Sequence, residues 1–324
     1  MRPASFAIDS SVGTGTSVGA GIPVSVPELP LYDTTCAMTT HSPGCLLDDL
    51  GVIRFRGADT RQFLQGQLSN DIERLSPDAL LRASVNTPQG RTLALMGLLA
   101  DDTDVLALMP RDLIASISTL LKRYVLRSKV TLADDSAAFR IVGLRSTDAI
   151  AAGVQPGQLC RYGMQADQRR VLLQPLTTHD EVSFDMARDS WRALDIAAGI
   201  PYVAGSSSGE FVAQMLNLDC IDAISFNKGC YTGQEVIARA HFRGRVKRRM
   251  QRFVSEAPQT LVAGASGQLQ DGRAFRVIDA VTRSDGRCEF LAVAPLPGAA
   301  PEATPQSTER LAAHSLPLPY PFPD

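Results

Sequence analysis

The residues best placed to do chemistry lie between Phe226 and Met250. Cys230 stands two residues after Lys228, glycines at 229 and 233 break the chain around it, and a helix-forming run with Val236 and Ile237 follows. With apolar Ile224 and Phe226 just ahead, this spacing predicts a strand, a tight loop and a helix. Cys230 would then sit at the loop rim, beside a lysine and near a helix N-terminus. That setting lowers a thiol pKa and makes the thiolate available at neutral pH. Burial as a small core hydrophobe is the competing reading of the same residue.

Two further groups could bind rather than react. Arg239, Arg243, Arg245, Lys247, Arg248, Arg249 and Arg252 place seven cations in fourteen residues with no carboxylate between them. Such a run fits a solvated face, a site for a small anion, or contact with RNA phosphates using Phe242 or Phe253 as a stacking partner. Gln62, Gln65, Gln67 and Asn70 crowd uncharged amides onto the segment Thr60 to Asp71. They make either a solvated helix face or a hydrogen-bonding wall for a heterocycle, since amides both donate and accept.

Other chemistries find little support. The histidines at 41, 179, 241 and 314 show no H-x-x-x-H or H-E-x-x-H spacing, and no intrinsic metal is expected. The cysteines at 36, 45, 160, 220, 230 and 288 contain no C-x-x-C pair, which argues against a zinc ribbon or a self-contained cluster site. They read as reduced thiols of a cytoplasmic protein. No G-x-S-x-G elbow, Walker loop or dinucleotide glycine pattern occurs. A net charge of −2 over 324 residues advertises no global nucleic-acid or membrane partner, and no apolar run is long enough to span a bilayer.

The elements that must position these groups can be read in order. Residues 1–30, with few charges and much Ser, Gly, Thr, Val and Pro, read as a disordered tail. Structure is expected to begin near Cys45, with strand Gly51 to Phe55, a helix from Thr60 to Asp71 capped by Asp59, and a hairpin of Leu80–Val85 and Thr92–Ala100. Leu113, Ile114, Ile117, Leu120, Leu121, Tyr124 and Val125 then mark one apolar stripe of a helix over Pro110–Arg127. This β-α-β-β-α order suits a ferredoxin-like α/β unit. A second set follows, with strands Phe139–Leu144, Gln158–Tyr162 and Arg170–Leu173, an element at Ala149–Gly153, a helix Asp180–Ala198 holding Trp191 as a core anchor, and a short helix Glu210–Leu216. Short strands at Gln251–Val254, Ser266–Leu269, Phe275–Asp279, Ala280–Ser284 and Phe290–Val293 suit a small antiparallel barrel. Four prolines between Leu316 and Asp324 suggest an extended tail packed through Tyr320 and Phe322.

Lys228-Gly229-Cys230-Tyr231-Thr232-Gly233-Gln234-Glu235, followed by Ala238-Arg239, Arg243-Gly244 and Lys247-Arg248-Arg249, resembles the signature of the YgfZ family. These are folate-binding proteins that assist iron–sulfur proteins and are related to the glycine-cleavage aminomethyltransferase. Phe63 to Asp71, Ala198 to Pro201 and Gln214 to Leu218 resemble further family blocks, so the likeness runs from about Leu46 to Val293. It implies an α+β, aminomethyltransferase-like fold: a first subdomain over 31–135, a second over 136–250, a small β-barrel over 251–311 and a tail over 312–324. By the same resemblance Cys230 is the functional thiol and Lys228 acts with it, while Gly229, Tyr231, Gly233, Gln234 and Glu235 shape the loop. Tetrahydrofolate would meet Gln65, Gln67, Asn70, Gln214 and Asn217, with Arg239 and Arg245 for its carboxylates.

Two departures bear on activity. The hairpin after the first block, Gln89 to Leu95, lacks the aspartate of aminomethyltransferases, and Ala197 replaces a glutamate ahead of Gly199. Losing both argues against glycine-cleavage chemistry, which needs charged groups there. The expectation is a monomeric, cytoplasmic folate-binding protein that helps assemble, maintain or repair iron–sulfur clusters in client enzymes, including those that modify transfer RNA. A folate-dependent C1 transferase and an RNA-binding module are the rival readings.

Overall fold

The computed structural model describes residues 44–145, 158–163, 167–176, 184–244, 246–298 and 310–323. The expected N-terminal tail, the element at Ala149–Gly153, the first residues of the Asp180 helix and Arg245 lie outside them.

The first sheet has five strands, β2 (Leu50–Arg56), β3 (Leu81–Asn86), β4 (Thr92–Asp101), β5 (Asp104–Pro110) and β6 (Thr131–Asp134), in the order β3-β4-β5-β2-β6. Every neighbouring pair is antiparallel. Strand alternation gives it two apolar faces. Ile53, Phe55, Met96, Ala107 and Met109 pack with α1 (Thr60–Gln67) and α2 (Ile114–Val125), while Val52, Leu99, Leu106 and Leu108 face the second sheet. That sheet has the order β1-β7-β9-β8, built from β1 (Cys45–Leu46), β7 (Phe139–Leu144), β8 (Gln158–Arg161) and β9 (Arg170–Pro175). Helix α3 (Arg188–Ala198) inserts Trp191 into the core between the two sheets. A Cβ on Gly143 would stand 2.5 Å from the indole, so the tryptophan seats directly on β7 backbone.

The third sheet has the order β14-β11-β12-β13-β10-β15 and contains β10 (Arg248–Pro258), β11 (Ser266–Leu269), β12 (Ala274–Thr282), β13 (Arg287–Pro295), β14 (Arg310–Leu311) and β15 (Ala313–Leu316). Its end strands β14 and β15 are separated only by Ala312, yet one pairs with β11 and the other with β10. The sheet therefore curls until both edges meet one chain segment.

Several expectations need correction. Strands β5 and β6 were not foreseen, so the first sheet is larger than a four-stranded ferredoxin-like unit. Helix α1 stops at Gln67 because the Gln65 side chain takes Ile72 N–H at 2.8 Å and Asp71 receives Glu73 N–H, which starts a separate 3-10 turn. Asp59 makes no cap bond; its carboxylate accepts Lys129 N–H instead. The described part of the Asp180 helix begins only at Arg188, and Glu210–Leu216 contributes only a 3-10 turn at Ala213–Leu216. The two strands expected over Phe275 to Ser284 are one bulged strand, Ala274–Thr282, with the register slipping between Val277 and Asp279. The C-terminal segment is partly sheet: Ala313 to Leu316 pair with β10. Among the described residues no helix is long and apolar enough to cross a membrane.

Candidate functional site

No strand precedes the signature loop. Residues 223–230 are irregular, tied to the first block by Ser225 N–H donating to Ser69 O at 3.0 Å and by Ser69 Oγ donating to Ala223 O at 2.7 Å. The loop's main anchor is Lys228. Its Nζ donates to the carbonyls of Gln65 (2.7 Å), Leu68 (2.7 Å) and Asn70 (2.9 Å). These lie at and just beyond the C-terminus of α1, where helix carbonyls have no partner of their own and the dipole favours a cation. Hydrogen bonds to a charged group contribute about 1.5–3 kcal/mol each, net of the water bonds they replace. Burial pushes Lys228 down to about 8, with Asp71 opposing the shift, so the amine is still protonated at neutral pH. Three acceptors require three N–H groups, which only the ammonium supplies.

Tyr231 is the second anchor, 7% exposed, with its ring 5.0 Å from the Lys228 ammonium. Burial pushes its phenol up to about 12. Between these two anchors Cys230 is exposed, the one exposed thiol among the described cysteines; Cys45, Cys160 and Cys288 are buried and Cys220 is half-buried. The Lys228 ammonium is turned to the carbonyls, and among the described residues no hydrogen bond reaches the Cys230 thiol.

The two glycines of the loop differ. Gly229 has open space where a Cβ would project, whereas Gly233 has φ +86° and a Cβ there would meet Thr87 O at 2.6 Å and Gly90 Cα at 3.1 Å. The loop is thus pressed onto the turn of the β3–β4 hairpin, with Gly90 in turn against Val236. Gly233 opens α4 (Gln234–Phe242), whose first turn carries Glu235 at its positive end. Gln234 N–H closes the turn onto Tyr231 O at 3.2 Å.

Of the amides assigned to folate, most already serve the fold. Gln65 donates to Asp71 and accepts from Ile72, both at 2.8 Å. Asn70 is fully buried; its Nδ2 donates to Arg82 O and Asp222 O, and its Oδ1 accepts from Asp71 N–H. Asn217, in the left-handed region at φ 57°, donates to Met250 O at 2.7 Å and to Tyr320 Oη. Gln67 is half-buried and makes no side-chain hydrogen bond among the described residues. Gln214 donates to Ile237 O at 2.6 Å, but its buried Oε1 has no partner among the described residues.

The basic run is divided. Arg249 is buried in a two-pronged pair with Asp219 at 3.0 and 2.9 Å, and its guanidinium lies over Phe322. Arg252 pairs with Glu289. Arg239, Arg243 and Lys247 are exposed, and the first two line an open groove with Glu235, Ala238 and Phe242. Phe242 is 68% exposed, beside a His241–Phe226 stack at 3.8 Å.

Sequence reasoning missed a buried polar chain beneath the hairpin, Ser69–Ser84–Asn86–Thr92. Its signal was there: β3 carries Ser84 and Asn86 at alternate positions of a strand buried along its whole length.

No family model matches the chain. Its fold is similar to that of the glycine cleavage system aminomethyltransferase T from Bartonella henselae, with TM-score 0.60 and 13% identity over 79% of this chain and 80% of that one. The architecture is therefore aminomethyltransferase-like. In sequence the chain is 30% identical over 270 residues to the tRNA-modifying protein YgfZ of Escherichia coli O7:K1, covering 74% of this chain and 82% of that protein. It is 30% identical over 286 residues to the protein of the same name from Serratia proteamaculans, covering 80% and 87%. The chain belongs to the YgfZ family.

Proposed function

We propose that this chain binds tetrahydrofolate or a related folate and assists assembly, maintenance or repair of iron–sulfur clusters in client enzymes, including enzymes that modify transfer RNA, with Cys230 as the functional thiol. The observation that carries the reading is the placement of an exposed Cys230 between two anchors, the half-buried Lys228 and the buried Tyr231. A thiol so held meets a client surface without the loop having to reorder, which lowers the entropic cost of engagement. The relatives' name, tRNA-modifying protein, fits clients of that kind.

On this reading the first two sheets belong to two α/β subdomains and the third acts as a small barrel, and the protein is monomeric and cytoplasmic. Folate fits the residues in part. Among the described residues Gln67 has an uncommitted amide and Gln214 Oε1 is an unpaired buried acceptor, the kind of group a pterin N–H would satisfy. Gln65, Asn70 and Asn217 would act by holding the wall in shape, and exposed Arg239 would pair with a glutamate carboxylate. The hairpin segment Gln89 to Leu95, whose Gly90 lies beside Gly233, offers no carboxylate where aminomethyltransferases carry a catalytic aspartate, which favours a folate ligand over an aminomethyl transferase.

Two measurements test the halves separately. Calorimetric titration with tetrahydrofolate should give saturable binding that survives Cys230→Ser; no binding at millimolar ligand removes the folate half. In cells lacking their own YgfZ, the wild-type chain should restore iron–sulfur-dependent tRNA modification and Cys230→Ser should not. Full restoration by the variant removes the thiol half.

A further inference from the structure

The folate reading makes no use of the signature lysine, and the thiol reading requires only that its loop be anchored, not the convergence of three carbonyls on one nitrogen. Gln65 O, Leu68 O and Asn70 O converge on one nitrogen at 2.7, 2.7 and 2.9 Å. They come from the last turn of α1 and the chain that leaves it, so the negative end of a helix dipole points the same way. Asn70 cannot drift, because its side chain is tied to Arg82 O and Asp222 O. Gln65 is fixed through Asp71 and Ile72, and Leu68 N–H is bonded to Leu64 O. The Tyr231 ring lies 5.0 Å from the cation. Three fixed carbonyls and an aromatic ring form a receptor for a small cation that carries N–H groups.

We propose that these carbonyls form a primary-ammonium site, filled in cis by Lys228, and that by filling it Lys228 is the positioning residue that fixes the loop carrying Cys230. The cation site stands on its own geometry; its bearing on Cys230 rests on the thiol reading given above. The lysine then acts as a tether and takes no part in proton transfer.

A site of this kind can be emptied and refilled. Lys228→Ala removes three carbons and the nitrogen, the atoms of n-propylammonium. Hydrogen exchange of the amides at 226–235 is the readout, since it reports loop opening and not activity. In the alanine variant exchange should rise by roughly tenfold or more, and n-propylammonium should restore protection saturably. n-Propanol, of similar size but uncharged, and tetramethylammonium, charged but without N–H, should not. Lys228→Met keeps the bulk of the stem and serves if the alanine variant folds poorly. It should show the same loosened loop and no response to n-propylammonium, because its own side chain fills the channel.

Unchanged exchange in both variants overturns the tether, and an equal response to n-propylammonium and tetramethylammonium overturns the cation site. Failure of the thiol reading looks different: the refilled alanine variant regains protection, yet Cys230→Ser keeps full function in cells.

Discussion

Replacing Gly233 by alanine tests whether the signature loop is pressed onto the hairpin as described. The residue has φ +86°, and placing an L side chain in the left-handed region costs about 1–2 kcal/mol. The added Cβ would also stand 2.6 Å from Thr87 O and 3.1 Å from Gly90 Cα. Neither neighbour yields easily, because Gly90 N–H donates to Thr87 O and Thr87 N–H to Arg91 O, both at 2.8 Å. Overpacking against fixed backbone adds about 1–3 kcal/mol. Gly233→Ala should therefore lose about 2–5 kcal/mol, read as a fall in melting temperature of roughly 3–7 °C by scanning calorimetry. Gly229→Ala is the internal control four residues earlier. Nothing lies within 4 Å of its Cβ, so it should stay within about 0.5 kcal/mol of wild type. Equal losses in the two variants would refute the docking of Gly233 on the hairpin.

Four further substitutions probe the frame around the site. Asp219→Ala leaves the buried Arg249 guanidinium without its carboxylate and should cost about 3–5 kcal/mol by urea unfolding; a loss below about 1 kcal/mol would contradict the pairing. For Asp49, burial raises the carboxyl pKa, but the hydrogen bonds and charge of Arg188, with Tyr202, outweigh it and hold the group below the usual 3.8. Its stabilising contribution is present above that value and lost as pH falls through the lowered one. The stability gap between wild type and Asp49→Asn should be level from about pH 5 to 8 and close below about pH 4, and a gap that widens on acidification would be the wrong sign. Gln67→Ala should weaken tetrahydrofolate binding without moving the melting temperature, whereas Gln65→Ala should cost about 1–2 kcal/mol through its two lost internal bonds.

What could be read from sequence was local. The 228–235 motif lies in one turn of chain, and the stripe on α2 repeats every helical turn, so both were visible without knowing any distant partner. Strand β5 escaped because its hairpin with β4 turns through Asp102 and Thr103, with Asp102 at φ 54°, and lacks the glycine that marks such turns. The amides of the first block looked free because their partners are remote: Asn70 bonds to Asp222 O, 152 positions away. Lys228 was expected beside the thiol for the same reason, since the carbonyls that claim it lie about 160 positions earlier, at Gln65, Leu68 and Asn70.

The basic run shows how far this limits a functional reading, and it yields a number. As a sequence it offers seven cations for RNA. In the fold it crosses from the end of α4 into β10, so its side chains leave one helix surface and then alternate across a strand. No single face presents them all. Arg249 turns inward to Asp219 and Arg252 is taken by Glu289, carboxylates 30 and 37 positions away. Arg239, Arg243 and Lys247 stay exposed, with Arg245 between them in sequence. With the half-buried Arg248 counted as well, single-stranded RNA that met three to five phosphate partners would show a slope of log affinity against log salt of about −2 to −3.5, against about −5 for seven. Fluorescence anisotropy with an unstructured oligonucleotide at several salt concentrations measures it. A slope near −5 would mean that Arg249 and Arg252 abandon their carboxylates on binding, and the RNA-binding reading would then displace the folate one.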